Sequence, residues 1–419
     1  MQQLARTDPP KQRRGHWLPA DFRVLEDWVG DFAARIEKRG PKSCHPVIQE
    51  FADLIADDPV ARLYVTSMIA EVPKTKPYRK HHLKSVRQML DLIDAVLTEA
   101  PGFDTTALVG APLNAILDWS MGTPSGFAAF RHPPLNQMIR KILEAWCVFL
   151  DTPESLYVLN DSPQGWKCPE AQRRMGIDEC EYDPSDKYWG FRSWNDFFTR
   201  RFKPGARPVA SPGDDSVITN ACESAPYAIA SGVKRHDQFW IKGQPYSLQD
   251  LLANDPATGD FVGGTVYQAF LSAFNYHRWH SPVSGTILKA FVQPGTYYSE
   301  ADSEGEDPAG PNNSQGYIAH VATRAIIHIQ ADNPAVGHMV VMPIGMAEIS
   351  SCVIRPEIVP GARVQKGQEL GCFQYGGSTH CLIFRPGAIA AFAAGAIPQP
   401  NDADPPVMPL NSYLATAAA

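Results

Sequence analysis

The chain has 419 residues, of which 44% are hydrophobic and 20% are charged, as is usual for a globular protein. Its 45 acidic and 38 basic residues give a net charge of −7, which argues against extensive nucleic-acid binding because such surfaces are basic. No run of about 18 apolar residues predicts a transmembrane helix, and the N-terminus lacks the apolar segment of a secretory signal. We therefore expect a cytoplasmic protein of two or three domains with no nucleic-acid partner, and membrane association is disfavoured.

The first third of the chain has the apolar periodicity of helices. Apolar residues recur at three- and four-residue steps in 21–39, 80–98 and 135–150. Asp21 is a candidate cap for the first of these helices, because its carboxylate can accept a hydrogen bond from a first-turn amide. The pattern predicts a helical N-terminal domain over residues 1–155.

The residue pattern changes from about residue 205. From there on, glycine and proline separate short β-branched runs that favour strands. Two short helices are expected in the second domain, at 194–202 and 248–253. The second domain, 156–419, is therefore predicted to be mostly antiparallel β, and the fold class to be α+β. The predicted strands are 264–271, 283–293, 317–330 and 338–354.

Three segments favour surface positions. Residues 299–316 are acidic and rich in Gly, Pro, Asn and Ser, which indicates a solvated insertion more often than an active-site lid. The Ala/Pro-rich tail after Arg385 is expected to wrap the surface. The basic run from Lys74 to Arg87 is either a patch for anionic lipids or ligands or a solvated helix face, and the solvated face is the commoner outcome.

Two histidines three residues apart, His277 and His280, lie in the segment YHRWHSPVSG (276–285). On a helical turn they could share a metal, but the Ser-Pro and Ser-Gly pairs that follow break a helix, and no further ligands stand at a persuasive spacing. We therefore expect no metal here. The eight cysteines are scattered, with no pair at two-residue spacing, and are expected to be reduced and mostly buried.

A glycine pair precedes a serine in the segment YGGST (375–379). Glycines allow backbone conformations closed to other residues, so that Ser378 can be presented in a tight turn. The preceding segment, Val359 to Phe373, is predicted to be turns and a strand that aim Ser378. This is not the nucleophile elbow of an esterase, because position 380 is His where that motif needs Gly.

Taken together, these segments resemble the phosphatidylserine decarboxylase family. The resemblance rests on YHRWHSPVSG followed about a hundred residues later by GCFQYGGST, and on supporting matches within residues 191–209 and 241–248. Within the family the chain is most similar to the branch of soluble fungal L-tryptophan decarboxylases, which carries a helical N-terminal extension of this size. Matches to that branch include Ala221–Ser224, Ile344–Ser350 and Gly376–Ser378.

The resemblance implies that the chain cleaves itself between Gly377 and Ser378 and converts Ser378 into a pyruvoyl group. The cleaved large chain (1–377) and small chain (378–419) are expected to stay associated. By the same resemblance, the pyruvoyl ketone forms a Schiff base with the substrate amine and serves as the electron sink, so that neither pyridoxal phosphate nor a metal is needed.

The resemblance also assigns roles. His280 is the candidate base that activates Ser378. Glu223 stands where the family has Asp, as the carboxylate that orients the imidazole, and it has one more methylene of reach. His277 is the candidate proton donor during turnover.

The expected activity is decarboxylation of a free aromatic amino acid, with L-tryptophan giving tryptamine and CO2 as the first choice. The alternative substrate is phosphatidylserine, giving phosphatidylethanolamine at a membrane surface. A non-catalytic relative acting as a binding module is disfavoured by the intact residue set. A serine hydrolase is disfavoured because self-cleavage would consume its nucleophile.

Overall fold

A computed structural model describes residues 22–40, 43–72, 83–104, 111–237, 246–299, 314–348, 351–399 and 406–419. Helices dominate the N-terminal part and antiparallel sheets dominate the rest, which confirms the predicted α+β class. The helices are α1 (Phe22–Arg39), α2 (Pro46–Asp57), α3 (Pro59–Ala70), α4 (Val86–Val96), α5 (Pro112–Met121), α6 (Pro124–Ala129), α7 (Pro133–Leu150), α8 (Pro169–Met175), α9 (Trp194–Phe198), α10 (Leu248–Leu251) and α11 (Gln315–Val321).

Capping side chains and prolines determine where several of the N-terminal helices begin. α1 and α7 match the predicted helices 21–39 and 135–150. α4 is shorter than the predicted 80–98, because the Ser85 side chain accepts the N–H of Gln88 and thereby fixes the start of the helix. Proline occupies the first turn of α2, α3 and α5, where its missing N–H costs nothing.

The apolar core of these helices continues past residue 155 to Phe198 and takes in residues of the second half of the chain. Trp146 of α7, fully buried, meets the ring of Tyr375 edge-on at 5.0 Å between centroids. The same tyrosine also contacts Trp194 and Phe198 of α9. The helical layer is therefore packed directly against the segment that leads into Ser378.

The β part consists of one large and two small antiparallel sheets. The strands are β1 (Val217–Thr219), β2 (Ala225–Ser231), β3 (Thr265–Leu271), β4 (Arg278–His280), β5 (Gly285–Gln293), β6 (Arg324–Ala331), β7 (His338–Ala347), β8 (Ser351–Ile354), β9 (Arg363–Val364), β10 (Glu369–Gln374), β11 (Gly377–Phe384), β12 (Ile389–Phe392) and β13 (Tyr413–Ala417). The large sheet has the order β2-β3-β11-β7-β6-β5-β9, and the small sheets have the orders β4-β10-β8 and β1-β13-β12.

Several predicted elements need correction. The predicted strand 317–330 begins as helix α11, whose Ile318 and Ala319 are buried in the same apolar core as residues of β7. A short apolar run in the sequence does not distinguish a helix from a strand. The predicted strand 338–354 is divided into β7 and β8 at Glu348, which has a φ of 59°. The predicted helices 194–202 and 248–253 end early, at Phe198 and Leu251.

The tail after Arg385 does not simply wrap the surface. Its strands β12 and β13 pair with each other, and β13 also pairs with β1. Leu414 and Ala415 are fully buried in the core beneath the large sheet. The segment YLATA (413–417) is only mildly hydrophobic, so its sequence does not predict a strand. Pairing and burial, rather than intrinsic strand propensity, stabilise β13.

Two of the surface predictions fall mostly outside the described residues. Of the loop 299–316, only Ser299 and 314–316 are described, and residues 73–82 of the basic region are not. At the end of the basic run, exposed Arg87 pairs with Asp91 one helical turn on, as expected of a solvated face. Among the helices that the structure describes, none has both the length and the apolar character needed to cross a bilayer.

Candidate active site

Ser378 lies near the start of β11, an interior strand of the large sheet. It pairs with Leu271 of β3 on one side and with Gly345 of β7 on the other. The residue is fully buried, and its Oγ has no hydrogen-bond partner in the described part of the chain. An unpaired buried hydroxyl is costly and uncommon, so the burial of the Ser378 hydroxyl does not itself stabilise the fold.

The backbone before Ser378 is irregular. Gly376 has a φ of 132°, a conformation that residues with a side chain rarely adopt. Gly377 pairs with Ala347 but Ser378 pairs with Gly345, so the register shifts between the two residues. The predicted scissile bond therefore lies at a β-bulge, a feature that re-aims side chains next to active sites.

His277 is buried and stacked on Phe198, with 3.9 Å between ring centroids. Neither ring nitrogen has a hydrogen-bond partner of good geometry among the described residues. Burial, with a further contribution from the Arg200 guanidinium, holds the pKa of His277 well below its usual value. The imidazole is consequently neutral at physiological pH, with a nitrogen lone pair free to take a proton.

The strand register places His277 at the end of β10 that leads to Ser378. The N–H of Phe373 donates to the His277 carbonyl oxygen at 2.9 Å, and only five positions separate Phe373 from Ser378. The ring of Phe198 that stacks on His277 also contacts Tyr375, at 5.0 Å between centroids. His277 is thus linked to the glycine turn through a shared aromatic contact.

His280 lies at the opposite end of the same strand pair, where it is matched with Glu369. Extended strand rises about 3.3 Å per residue, so Glu369 is about 13 Å along β10 from Phe373. The Nδ1 of His280 lies 2.7 Å from the carbonyl oxygen of Gly367, which can only accept, so Nδ1 carries the proton. No contact in the described ranges joins His280 to Ser378.

The other ring nitrogen of His280, Nε2, is left as an acceptor and lies 3.4 Å from the hydroxyl of Tyr276. Burial is the main cause that lowers the pKa of His280. The hydrogen bond to Gly367 and the charge of Glu369 act in the opposite direction. The imidazole is therefore neutral and held in one tautomer by a backbone carbonyl.

Glu223 is engaged by an arginine. Arg207 donates to both of its carboxylate oxygens, at 2.7 to 3.1 Å, and the backbone N–H of Leu410 donates to Oε2 at 2.6 Å. Both side chains of the ion pair are largely buried, at 15% exposure for Arg207 and 11% for Glu223. The carboxylate therefore connects the body of the chain to the C-terminal tail, and no described contact joins it to His277 or His280.

Sequence reasoning missed His380, which follows Ser378 by two residues and so shares its face of β11. His380 is fully buried, and neither ring nitrogen has a hydrogen-bond partner of good geometry in the described ranges. Burial lowers its pKa to about 3. The period-two spacing Ser-x-His in a predicted strand was the signal that could have identified it.

Glu348 belongs to the segment Ile344–Ser350, whose sequence predicts no individual role for it. It is fully buried at the end of β7, next to Ala347, the residue that pairs with Gly377. Burial raises the pKa of its carboxyl well above the usual value. Within the described residues, no group of three or more His, Cys, Asp or Glu side chains is arranged to hold a metal ion.

Comparisons with known proteins identify the family of the chain. Two family models, both described as phosphatidylserine decarboxylase, match residues 45–175 and 194–397. The chain is 32% identical to an L-tryptophan decarboxylase of Psilocybe cubensis over 404 residues, covering 90% of this chain and 89% of that protein. It is 40% identical over 303 residues to the decarboxylase iboD of Amanita muscaria, covering 68% of this chain and 86% of that protein. A phosphatidylserine decarboxylase proenzyme of Schizosaccharomyces pombe is 30% identical over 47% of this chain and 19% of its own length.

Proposed function

Because the chain belongs to the phosphatidylserine decarboxylase family and is a carboxy-lyase, we propose that it is a self-processing, pyruvoyl-dependent decarboxylase of a free aromatic amino acid. The proposed reaction converts L-tryptophan into tryptamine and CO2, in the cytoplasm. The observation that carries the proposal is the buried Ser378 hydroxyl, unpartnered among the described residues, at the bulge that follows two glycines. Two relatives named L-tryptophan decarboxylase, 32% and 34% identical over 90% of the chain, support the choice of substrate.

The proposed cleavage begins at the Ser378 hydroxyl and breaks the peptide bond between Gly377 and Ser378. Ser378 Oγ loses its proton to a base and attacks the Gly377 carbonyl carbon, the C–N bond breaks, and the nitrogen takes a proton, leaving an ester. Loss of the Ser378 α-proton then expels the Gly377 carboxylate and leaves a dehydroalanine. Addition of water and loss of ammonia give the pyruvoyl ketone at the head of residues 378–419.

The geometry favours His277 as the base for this cleavage, although the resemblance assigns that role to His280. His277 is neutral, has no well-formed ring hydrogen bond in the described residues, and is linked through Phe198 to the turn before Ser378. In His280, by contrast, Nδ1 contacts the carbonyl oxygen of Gly367 and Nε2 lies near the hydroxyl of Tyr276. We assign His280 a positioning role, because it fixes the loop before β10 through Gly367.

The two chains are expected to stay together after cleavage. β11 of the small chain is paired along its length with β3 and β7 of the large chain. Further along the small chain, β13 pairs with β1, and Leu410 donates to Glu223 of the large chain. Breaking one peptide bond removes none of these contacts.

In turnover, the ketone supplies an electrophile for the substrate amine and a sink for the electrons released when CO2 departs. The residues around it must exclude water, hold the aromatic ring and return one proton to the substrate α-carbon. His277 is the proposed proton donor, because it is the neutral imidazole next to the aromatic cluster of Phe198 and Tyr375. Trp146 and Trp194 extend this buried aromatic cluster.

Phosphatidylserine remains the second candidate substrate, because proenzymes with that activity in their names share up to 32% identity with parts of this chain. One competition assay separates the two. The purified protein receives L-tryptophan, L-phenylalanine, L-tyrosine and phosphatidylserine in detergent together, and products are read by mass spectrometry, with Ser378→Ala as the blank. Tryptamine as the leading product supports the proposal, and phosphatidylethanolamine as the leading product overturns it.

A further inference from the structure

His380 is a polar residue at an apolar position of the large sheet. It belongs to the interior strand β11, between β3 and β7, and its side chain is fully buried. The residues that follow it in the strand, Cys381 to Phe384, are buried as well. A buried polar group without a good hydrogen bond costs stability, and an apolar β-branched residue suits such a position better. Packing therefore does not explain why a histidine stands here.

The ring of His380 has one nitrogen lone pair to offer. Burial lowers the pKa of His380 to about 3, and the Ala269 carbonyl acts in the opposite direction as a hydrogen-bond acceptor. A carbonyl oxygen can only accept, so the ring nitrogen that faces it carries the proton. The other nitrogen is a bare acceptor, and it has no hydrogen-bond partner within the described ranges. The imidazole is consequently neutral and able to take a proton.

His380 and Ser378 are neighbours on one face of β11. Residues two apart in a strand lie about 7 Å apart along it, and their side chains point the same way. The strand pairing is regular from Ser378 onwards, so the bulge before Ser378 does not turn the two side chains apart. On the adjacent strands, Gly345 lies beside Ser378 and Ala269 beside His380, and neither has a bulky side chain. The imidazole can therefore reach residue 378 by rotation of its side chain.

The proposed self-cleavage removes two protons from different atoms of Ser378. The first is the hydroxyl proton, for which His277 is the proposed base. The second is the proton on the α-carbon, which leaves after the peptide bond before Ser378 has become an ester. In that ester Ser378 is a free N-terminus, so its α-carbon is released from the peptide bond to Gly377 and can turn towards the neighbouring imidazole.

We propose that His380 is the base of the second step and moves the proton from the α-carbon to the β-carbon of Ser378. This inference rests on the proposed function and assigns one step of the cleavage. The bare ring nitrogen takes the α-proton, a double bond forms between the α- and β-carbons, and the bond from the β-carbon to the ester oxygen breaks. The Gly377 carboxylate leaves with the electron pair of that bond.

The departing carboxylate also favours the protonated imidazole. It is an anion formed beside the new imidazolium, and an opposite charge nearby offsets the burial that otherwise disfavours protonation. The imidazolium then returns its proton to the β-carbon, which gives the methyl group and an imine. Water hydrolyses this imine to the ketone and ammonia, so no further reactant is needed.

The test is the trapping of the ester in His380→Val and His380→Asn, because neither new side chain is a base. With the second step blocked, formation of the ketone should slow by about 10²-fold or more and the chain should stop at the ester. Neutral hydroxylamine cuts esters and leaves ordinary peptide bonds whole. On a denaturing gel it should therefore split these variants into residues 1–377 and 378–419, and mass spectrometry should find an unmodified serine at the head of the small chain.

Three controls locate the effect. Cys381→Ala changes the next residue of the strand, which points to the opposite face, and should mature at the rate of the unaltered protein. His277→Ala and Ser378→Ala should resist hydroxylamine, because the ester does not form in them. Urea unfolding in a Ser378→Ala background should show that His380→Val is no less stable than the chain with His380, since it removes an unsatisfied polar group.

Ketone formation at the unaltered rate in either His380 variant overturns the inference. A His380 variant that folds but stays whole in hydroxylamine also overturns it, because the block would then precede the ester. If His380→Val does not fold, His380→Asn decides, and failure of both to fold would show that the histidine is structural. An unaltered protein that never cleaves itself refutes the proposed function as well, whereas the other outcomes leave that function in place.

Discussion

The buried pair of Glu223 and Arg207 gives the sharpest stability prediction. Glu223→Gln removes the negative charge from a carboxylate that receives three N–H contacts from Arg207 at 2.7 to 3.1 Å. Removing one partner of a buried ion pair costs about 3–5 kcal/mol. The loss should be near the lower end, about 3 kcal/mol, because Gln can still accept from Leu410 and Arg207 keeps Glu179 at 2.8 Å.

The matched control is Glu179→Gln, since it removes the other partner of the same arginine. The Glu179 side chain is 50% exposed, so its loss should cost only about 0–1 kcal/mol. Urea unfolding in a Ser378→Ala background, which keeps the chain whole, measures both changes. A gel time course of the same two variants with Ser378 left intact measures their rates of self-cleavage.

We expect Glu223→Gln to be destabilised yet to cleave at a rate close to that of the unaltered protein. The reasoning is refuted if Glu223→Gln keeps its stability and stops cleavage, because the carboxylate would then orient the catalytic base. Equal destabilisation by the two variants would also refute it, since burial would not be the cause.

Three further predictions concern the histidines and the helical layer. His277→Ala should slow self-cleavage by about 10²-fold or more while His280→Ala slows it by less than about tenfold, and the reverse order on a gel time course would restore His280 as the base. His380 has a pKa of about 3 in the folded chain against about 6.5 unfolded, so the unfolded chain binds the extra proton and this residue lowers stability by about 1.4 kcal/mol per pH unit as pH drops below 6.5. His380→Asn should therefore reduce the pH slope of the free energy of unfolding by about 1.4 kcal/mol per unit in urea titrations between pH 6.5 and 4, and an unchanged slope would contradict this. Trp146→Ala should lower the free energy of unfolding by about 3–5 kcal/mol, and a loss below about 1 kcal/mol would mean that α7 does not anchor the Ser378 segment as described.

The sequence predicted the features that depend on local pattern. The apolar periodicity of 21–39 and 135–150 located α1 and α7, and β-branched runs located β3 and β5. The family was identified from its motifs, because the glycine turn and the two-histidine segment are contiguous in the chain. Ser378 was singled out for the same reason.

The features that the sequence did not reveal depend on contacts between distant positions. Glu348 meets Asn114 across 234 positions, and Leu410 meets Glu223 across 187. No spacing rule connects such pairs, so the partner of Glu223 and the burial of Glu348 emerged only from the fold. The positions of His277 and His280 relative to Ser378 likewise depend on strand register, which motif spacing does not determine.

The most direct test of the central claim is the intact mass of the purified protein under denaturing conditions. The account predicts two chains, residues 1–377 and 378–419, with the small chain lighter by one ammonia than a peptide beginning with serine and reactive towards a hydrazine. Ser378→Ala should give a single uncut chain. An uncut protein that still releases CO2 from an amino acid, or a small chain that begins with an unmodified serine, would contradict the account.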